Sequence, residues 1–494
     1  MKTVLGIDLG TQSLKVLFYD ISAKSVVAKE SAALEVNRRE DGSAEQDADW
    51  WIQALINALK PISQSIKDSV IALSVSGQQH GFVALDKHDN VIAPVKLWCD
   101  TATAAECDDL NNSLGGDTAC IEKTGNKILT GYTAPKVLHL KKYYPELYAE
   151  LDTILLPHDY LNFWLTGEKC MEMGDASGTG FLNIAQRTWS DEMLRAIDPM
   201  RDLSKCLPPL RNENVIIGKL HKGAAALTGL PENTPVAIGG GDNMMAAIGT
   251  GNLHTGRTTV SLGTSGTVYA YSDKPVIDSS GSISAFCSST GGWLPLLCTM
   301  NCTVTTELFR NLLSVDIADF DATIARVNAG ASGLITLPFF NGERSPNLPN
   351  GKGCLLGMDS QNMTPAHILR SGVEGATFAL RAGIQELSRL GTSTDEIILT
   401  GGGSQSPLWR QITADIMNVP VNIMKQDEGA AFGAALQAFS AIEYNGICDA
   451  DTLSQYIIID EQYCCEPQQQ QVEKYNEVFS RYQDAVMTVS ALYR

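Results

Sequence analysis

Positive charge is scarce: 37 Lys and Arg face 56 Asp and Glu in 494 residues, for a net charge of −19. Nucleic-acid backbones and anionic membrane surfaces are gripped by clustered cations, so no nucleic acid and no membrane is expected as a partner. Cysteine is dilute at 12 residues and never occurs at the two-residue spacing of a zinc ribbon or thioredoxin-like site, which excludes a disulfide scaffold and points to reduced thiols. The seven histidines hold no i, i+4 pair, so no H-E-x-x-H metal helix exists. No run approaches the roughly 18 to 20 apolar residues of a membrane span. The N-terminus reaches Asp8 too early for the apolar region of a secretory signal. A cytoplasmic protein is the expectation. Also missing are a G-x-x-x-x-G-K-[ST] phosphate loop, the H-R-D and D-F-G pair, and a strand-led G-x-G-x-x-G with an acid downstream.

What is present is a chain of 44% hydrophobic and 19% charged residues, long enough for two large domains. Internal similarity organises it. Ile7-Asp8-Leu9-Gly10-Thr11-Gln12-Ser13 is echoed by Val260-Ser261-Leu262-Gly263-Thr264-Ser265-Gly266, an offset of 253 residues. Each copy lies between β-favouring apolar runs, which reads as strand, tight glycine turn, returning strand. A second echo pairs Val236 to Asp242 with Ile397 to Ser404: a buried strand, three glycines, then a helix, the second running from about Pro407 to Met417. Two similar α/β halves follow, residues 1–247 and 248–494, joined by a glycine-rich, hinge-like stretch near 247–256.

The turns have the chemistry of anion holders. Glycines let backbone N–H groups converge without side-chain obstruction, and Thr11, Ser13, Thr264 and Ser265 add hydroxyl donors. Facing turns from two halves could hold a polyphosphate between them. The copies differ where Asp8 becomes Ser261. A carboxylate beside phosphates repels them unless a cation intervenes, so Asp8 is expected to face magnesium, directly or through water. Lys15 is either a compensating charge or a solvated strand residue. Asp242, after three glycines and at a helix start, reads from sequence alone as an N-cap.

Taken together, Asp8-Leu9-Gly10-Thr11, Ser261 to Gly266, Thr400-Gly401-Gly402-Gly403 and Glu428 to Ala435 resemble the two phosphate motifs, adenosine motif and second connecting motif of the actin-like (ribonuclease H-like) ATPase fold. With Ser76 to Gly81, Leu97 to Asp100, Gly239 to Asn243, Phe339 to Pro346 and Gly353 to Gly375, the chain resembles the FGGY carbohydrate kinases over essentially its whole length.

The resemblance implies two actin-like domains around a central cleft, with sugar bound by the first half and adenosine by the second. It implies transfer of the γ-phosphoryl group of ATP, with Mg2+, to a ketose such as D-xylulose; ribulose and L-xylulose stay open. Asp242 would be the general base, with an ordinary pKa of about 4 and its ionised form favoured by the helix N-terminus. Gln79, His80, Asp242 and Asn243 would bind the sugar, with Trp98 and Asp100 as further pocket residues or else a core tryptophan and a capping aspartate. Thr11, Gln12, Ser13, Lys15, Gly263, Thr264, Ser265, Gly402, Gly403 and Ser406 would hold the nucleotide, and Asp8 the metal. Gln79 stands where one bacterial form of the motif has Met, and the Arg-Glu pair of glycerol kinases is absent. The segments Gly372 to Leu387 and Gly429 to Ala441 read as packed helices supporting the second half. A homodimer is left open. The rival class is an actin-like switch protein that hydrolyses ATP slowly, for which the Gln79, His80, Asp242, Asn243 set would have no use.

Overall fold

The computed structural model describes residues 2–211, 214–426 and 428–493. The chain forms two compact units. The first holds residues 2–211 and 214–254, Ser272–Leu294 and Glu428–Ile457; the second holds Thr255–Tyr271, residues 295–426 and residues 458–493.

In the first unit β1 (Thr3–Leu9) is buried along nearly its whole length, as expected of a strand covered on both faces. A turn closed by the Gly10 N–H on the Ser13 carbonyl (3.0 Å) returns the chain as β2 (Ser13–Asp20), antiparallel to β1, and β3 (Ser25–Ala33) follows antiparallel to β2. On the other side of β1 lie β4 (Val70–Gly77), parallel to it, then β6 (Pro235–Ala237), parallel to β4, and β5 (Ile216–Lys219) antiparallel to β6. The short β7 (Gly240–Gly241) also pairs with β4. The sheet order is β5-β6-β4-β1-β2-β3. Its core includes Leu5, Ile7, Leu73 and Val75 under Trp51 and Leu55 of the Ala48–Leu59 helix.

The second unit repeats this plan. Strands β8 (Gly256–Leu262) and β9 (Gly266–Ala270) flank the second glycine turn, β10 (Leu296–Thr299) extends β9, and β11 (Thr394–Thr400) lies parallel to β8 with β12 (Val421–Asn422) beyond it. The order β10-β9-β8-β11-β12 and its strand directions match β3-β2-β1-β4-β6. The internal echo is therefore a repeated sheet topology, and both helices expected after the glycine triplets are present, at Asp242–Gly249 and Pro407–Met417.

The units are not consecutive halves. The Gly429–Glu443 helix, expected to support the second half, packs in the first unit against β1 and the Asp242–Gly249 helix. Its small residues decide this. A Cβ on Gly433 would sit 1.7 Å from the Met245 carbonyl oxygen, and one on Gly6 of β1 would sit 1.8 Å from that of Ala431. Backbone touches backbone at both places, which glycine alone permits. The other helix expected to pack, Pro365–Arg389, does lie in the second unit and starts from a Thr364 cap on the His367 N–H.

Candidate active site

Three parallel neighbours in the first unit end at one sheet edge. In register, Asp8 of β1 faces Ser76 of β4, and Gly240 of β7 faces Ser76 as well. Residues far apart in sequence thus emerge together: Asp8, the loop Gln78 to Gly81 after β4, and Asp242 after β7. The carboxyl ends of parallel strands are where open α/β sheets bind ligands.

Gln79, Asn243 and Asp242 form one hydrogen-bonded chain. Asn243 Nδ2 donates to Gln79 Oε1 (2.7 Å) and to Asp242 Oδ1 (3.0 Å), while the Asn243 N–H also donates to Asp242 Oδ1 (2.7 Å). Gln79 Nε2 is turned to the Met244 sulfur at 3.2 Å. His80 lies beside this chain, its ring between Tyr132 and Phe286 at centroid distances of 5.4 and 5.6 Å. Asp242 is the first helical residue, with Gly241 as the N-cap. Its pKa is pushed up to about 7 by burial first, then by the charges of Asp8 and Asp175. This corrects the expectation of an ordinary, ionised aspartate: loss of solvation outweighs the helix N-terminus.

The first phosphate turn differs in detail from its expected role. Gln12 and Ser13 are exposed. The Thr11 hydroxyl instead donates to Gln78 Oε1 (3.0 Å) and accepts from the Trp98 indole N–H (2.9 Å). Its proton is therefore engaged in bracing the turn. Gln46, which no motif pointed to, extends the brace: it donates to the Thr11 carbonyl and accepts from Gln78 and Trp51. Lys15 lies opposite Asp8 in register but pairs with Glu428 at 3.7 Å. Trp98, at 37% exposure, is a surface residue against the turn and not a core tryptophan. Asp100 is fully buried, and its carboxylate accepts from the Ala44 and Ala102 N–H groups and from Lys96. It is a structural anchor, because every one of these bonds organises the strand and turn around it.

Asp8 is held by the Ser76 hydroxyl at 3.0 Å, and burial raises its pKa against the opposing effects of Ser76 and Lys15. A desolvated carboxylate of this kind is stabilised by a cation. Among the described residues no group of three His, Cys, Asp or Glu side chains could enclose a metal. One carboxylate suits magnesium, which keeps several waters and takes phosphate oxygens as ligands.

In the second unit the Gly263 to Ser265 turn and the Gly401 to Gly403 turn follow β8 and β11, whose register ends on the pair Ser261 with Thr400. The carbonyls of Gly263 and Thr264 are tied by the N–H groups of Thr303 and Cys302, both at 2.9 Å. Tying the acceptors inward is what an anion-binding turn requires. Thr264 and Gly402 are exposed and Gly403 is buried. Ser406 caps the Pro407–Met417 helix through the Trp409 N–H and donates its proton to Asp321, so its hydroxyl is engaged within the fold.

Behind His80 lies a buried relay that sequence reasoning missed. His158 Nε2 is 3.0 Å from Asp159 and its Nδ1 is 3.3 Å from Asp175 Oδ2, while Asp175 Oδ1 is 3.2 Å from His80 Nδ1. Burial opposes both charges, yet the two carboxylates hold the His158 pKa well above its usual value, and contacts from His158 and His80 hold Asp175 at about 2. His158 was legible only as an ordinary core or surface histidine, since neither acid stands at a telling spacing from it.

Comparison with known proteins places this geometry. The family model described as the N-terminal domain of the FGGY family of carbohydrate kinases matches residues 3–249, and the C-terminal domain of the same family matches residues 258–442. A xylulose kinase of Haemophilus influenzae is 43% identical over 486 residues, covering 97% of this chain and 98% of that one. A xylulose kinase of Bacillus subtilis is 34% identical, covering 98% and 96%. The crystal structure of a ligand-bound xylulose kinase from Lactobacillus acidophilus superposes with a TM-score of 0.93 at 25% identity, covering 100% of this chain and 99% of that one. With both family domains in order along an actin-like fold, the chain belongs to the FGGY family of carbohydrate kinases.

Proposed function

We propose that this chain phosphorylates D-xylulose with ATP, giving D-xylulose 5-phosphate. The observation that carries the reading is the 43% identity over nearly the full length of a xylulose kinase. The chain of Gln79, Asn243 and Asp242 supports it, because a polyol needs donors and acceptors packed together, and a switch protein needs none there.

Asp242 acts as general base. A pKa of about 7 is close to what a base working at neutral pH requires: enough is ionised to accept a proton, and its basicity exceeds that of an ordinary aspartate. Both bonds from Asn243 fall on Oδ1, so Oδ2 is the oxygen that takes the proton from the attacking sugar hydroxyl. Asn243 and Gln79 keep the carboxylate oriented, and His80 contributes a ring nitrogen to a second hydroxyl. Orientation matters because phosphoryl transfer is mainly positioning and charge stabilisation. Gly263, Thr264 and Ser265 hold phosphate oxygens and Gly402 and Gly403 the adenosine, while Gln12 and Ser13 are exposed donors on the turn after β1. Asp8 would hold magnesium, which when bound neutralises phosphate charge. Twelve free thiols support a cytoplasmic setting. Among the described residues no helix is long and apolar enough to cross a membrane.

The test is ADP release with D-xylulose, D-ribulose, L-ribulose, L-xylulose and glycerol. D-xylulose is expected to give the highest kcat/KM; no turnover with any ketose would overturn the reading.

A further inference from the structure

We propose that Asp175, Lys136 and Thr133 are positioning residues that clamp His80 and aim its ring at the sugar. The proposal rests on the reading of His80 as a sugar contact, and none of the three belongs to the motifs that carry the family resemblance.

His80 has φ of 64°, in the left-handed region that only a few per cent of non-glycine residues occupy, and the surroundings hold it there. Side chains from two helices supply that constraint. The His80 carbonyl accepts from Lys136 Nζ at 2.7 Å and from Thr133 Oγ1 at 3.1 Å, one turn apart on the Thr133–Tyr143 helix. The His80 N–H donates to Asp175 Oδ1 at 3.2 Å, and the same oxygen lies 3.2 Å from ring Nδ1. One carboxylate oxygen therefore holds the backbone of His80 and lies at ion-pair distance from its ring. The ring lies so close to Gly178 that a Cβ there would be 1.7 Å from Cε1, which sets the side-chain direction.

Lys136 has no packing reason to be a lysine. It is fully buried, and burial lowers its pKa to about 7. Its ammonium meets two carbonyls, those of His80 and Gly131 at 2.7 Å each. Burying an amine is costly, and the two carbonyls with the nearby Asp100 and Asp175 carboxylates offset that cost only while the loop keeps this geometry. Asp175 in turn lies 3.3 Å from His158, and a carboxylate oxygen facing Nδ1 favours the His80 tautomer protonated there. That leaves Nε2 as an acceptor for a sugar hydroxyl.

A double-mutant cycle tests whether Lys136 acts through His80. Lys136→Met is expected to raise KM for the ketose at least tenfold, with KM for ATP within twofold of the parent. Lys136→Met combined with His80→Ala should be no worse than His80→Ala alone, within twofold. If the two KM increases multiply, Lys136 supports the fold by another route and the proposal fails. Thr133→Val keeps the shape, removes only the hydroxyl and secures the test should methionine at position 136 prevent folding; about threefold in KM, lost in the His80→Ala background, is expected.

The second readout needs no turnover. In 15N-histidine NMR at pH 8.5, the His80 signals, identified by their loss in His80→Ala, should show the Nδ1-protonated tautomer. Asp175→Leu, which removes the acceptor facing Nδ1, should move the proton to Nε2. An Nε2-protonated His80 in the parent would overturn the role of Asp175. Failure of the parent to phosphorylate any ketose, with the tautomer as expected, would instead count against the substrate reading alone.

Discussion

Asp242 loses its proton near pH 7 because burial, Asp8 and Asp175 all disfavour its charge. A base must be ionised to accept a proton, so kcat/KM for the ketose should fall on the acid side with a midpoint near pH 7. Asp242→Asn should lower kcat by about a thousandfold or more while leaving ketose binding largely intact; turnover within tenfold of the parent would dismiss Asp242 as the base. The same shift has a sign in stability. The unfolded carboxyl titrates at about 4, so from there to about 7 the folded state binds the extra proton, and stability falls as pH rises through that window. Asp242→Asn should therefore raise the unfolding free energy at pH 8 by about 2 to 4 kcal/mol and by almost nothing at pH 4, read as paired melting curves. The residues of this site divide by how local their signal is. Gln79, His80, Asp242 and Asn243 lie in short motifs and are named through the family resemblance those motifs carry. Asp175, Lys136 and Thr133 lie 95, 56 and 53 positions from His80 and carry no pattern of their own. The raised pKa of Asp242 was equally hidden, since desolvation depends on what the fold stacks around a group.

Elements are legible in sequence when their periodicity meets a punctuating residue. Apolar, β-favouring runs on either side of Gly10 and Gly263 marked both hairpins, and the triple glycines marked the approach of both helices. The Gly429–Glu443 helix shows where such signals stop: its residues are small and apolar nearly all round, which announces burial but not the partner. That partner is the Asp242–Gly249 helix, touched at Gly433. Gly433→Val should force the two backbones apart and lower stability by about 3 kcal/mol or more, seen as an earlier urea midpoint. A subtler effect is expected one turn further on. Gln437 donates to the Gly239 carbonyl and accepts from the Gly239 N–H, both at 2.9 Å, so it holds the turn that delivers Asp242. Gln437→Leu should reduce kcat more than it raises the ketose KM, because it loosens the base rather than the sugar contacts. Equal changes in both would assign Gln437 to general stability.

At the scale of the molecule, the chain carries a net charge of −19. If the glycine turns hold the phosphates as proposed, their backbone N–H groups supply positive ends locally and an acidic chain can use an anionic substrate. Ketose binding should register in the whole first unit: saturating D-xylulose without ATP should raise its melting midpoint by roughly 2 to 5 °C. Absence of a shift, with ATP still giving one, would remove the ketose from the first unit.

The return of Glu428–Ile457 to the first unit also orders events during synthesis. At a ribosomal rate of about 5 to 20 residues per second, about 10 to 40 s pass between completion of His254 and arrival of Ile457. Throughout that interval the faces of β1 and of the Asp242–Gly249 helix that will receive the late helix stand uncovered. The nascent chain must either wait with these apolar surfaces exposed or be escorted, so a fragment ending at His254 should precipitate when expressed alone and become soluble when the 428–457 segment is supplied beside it.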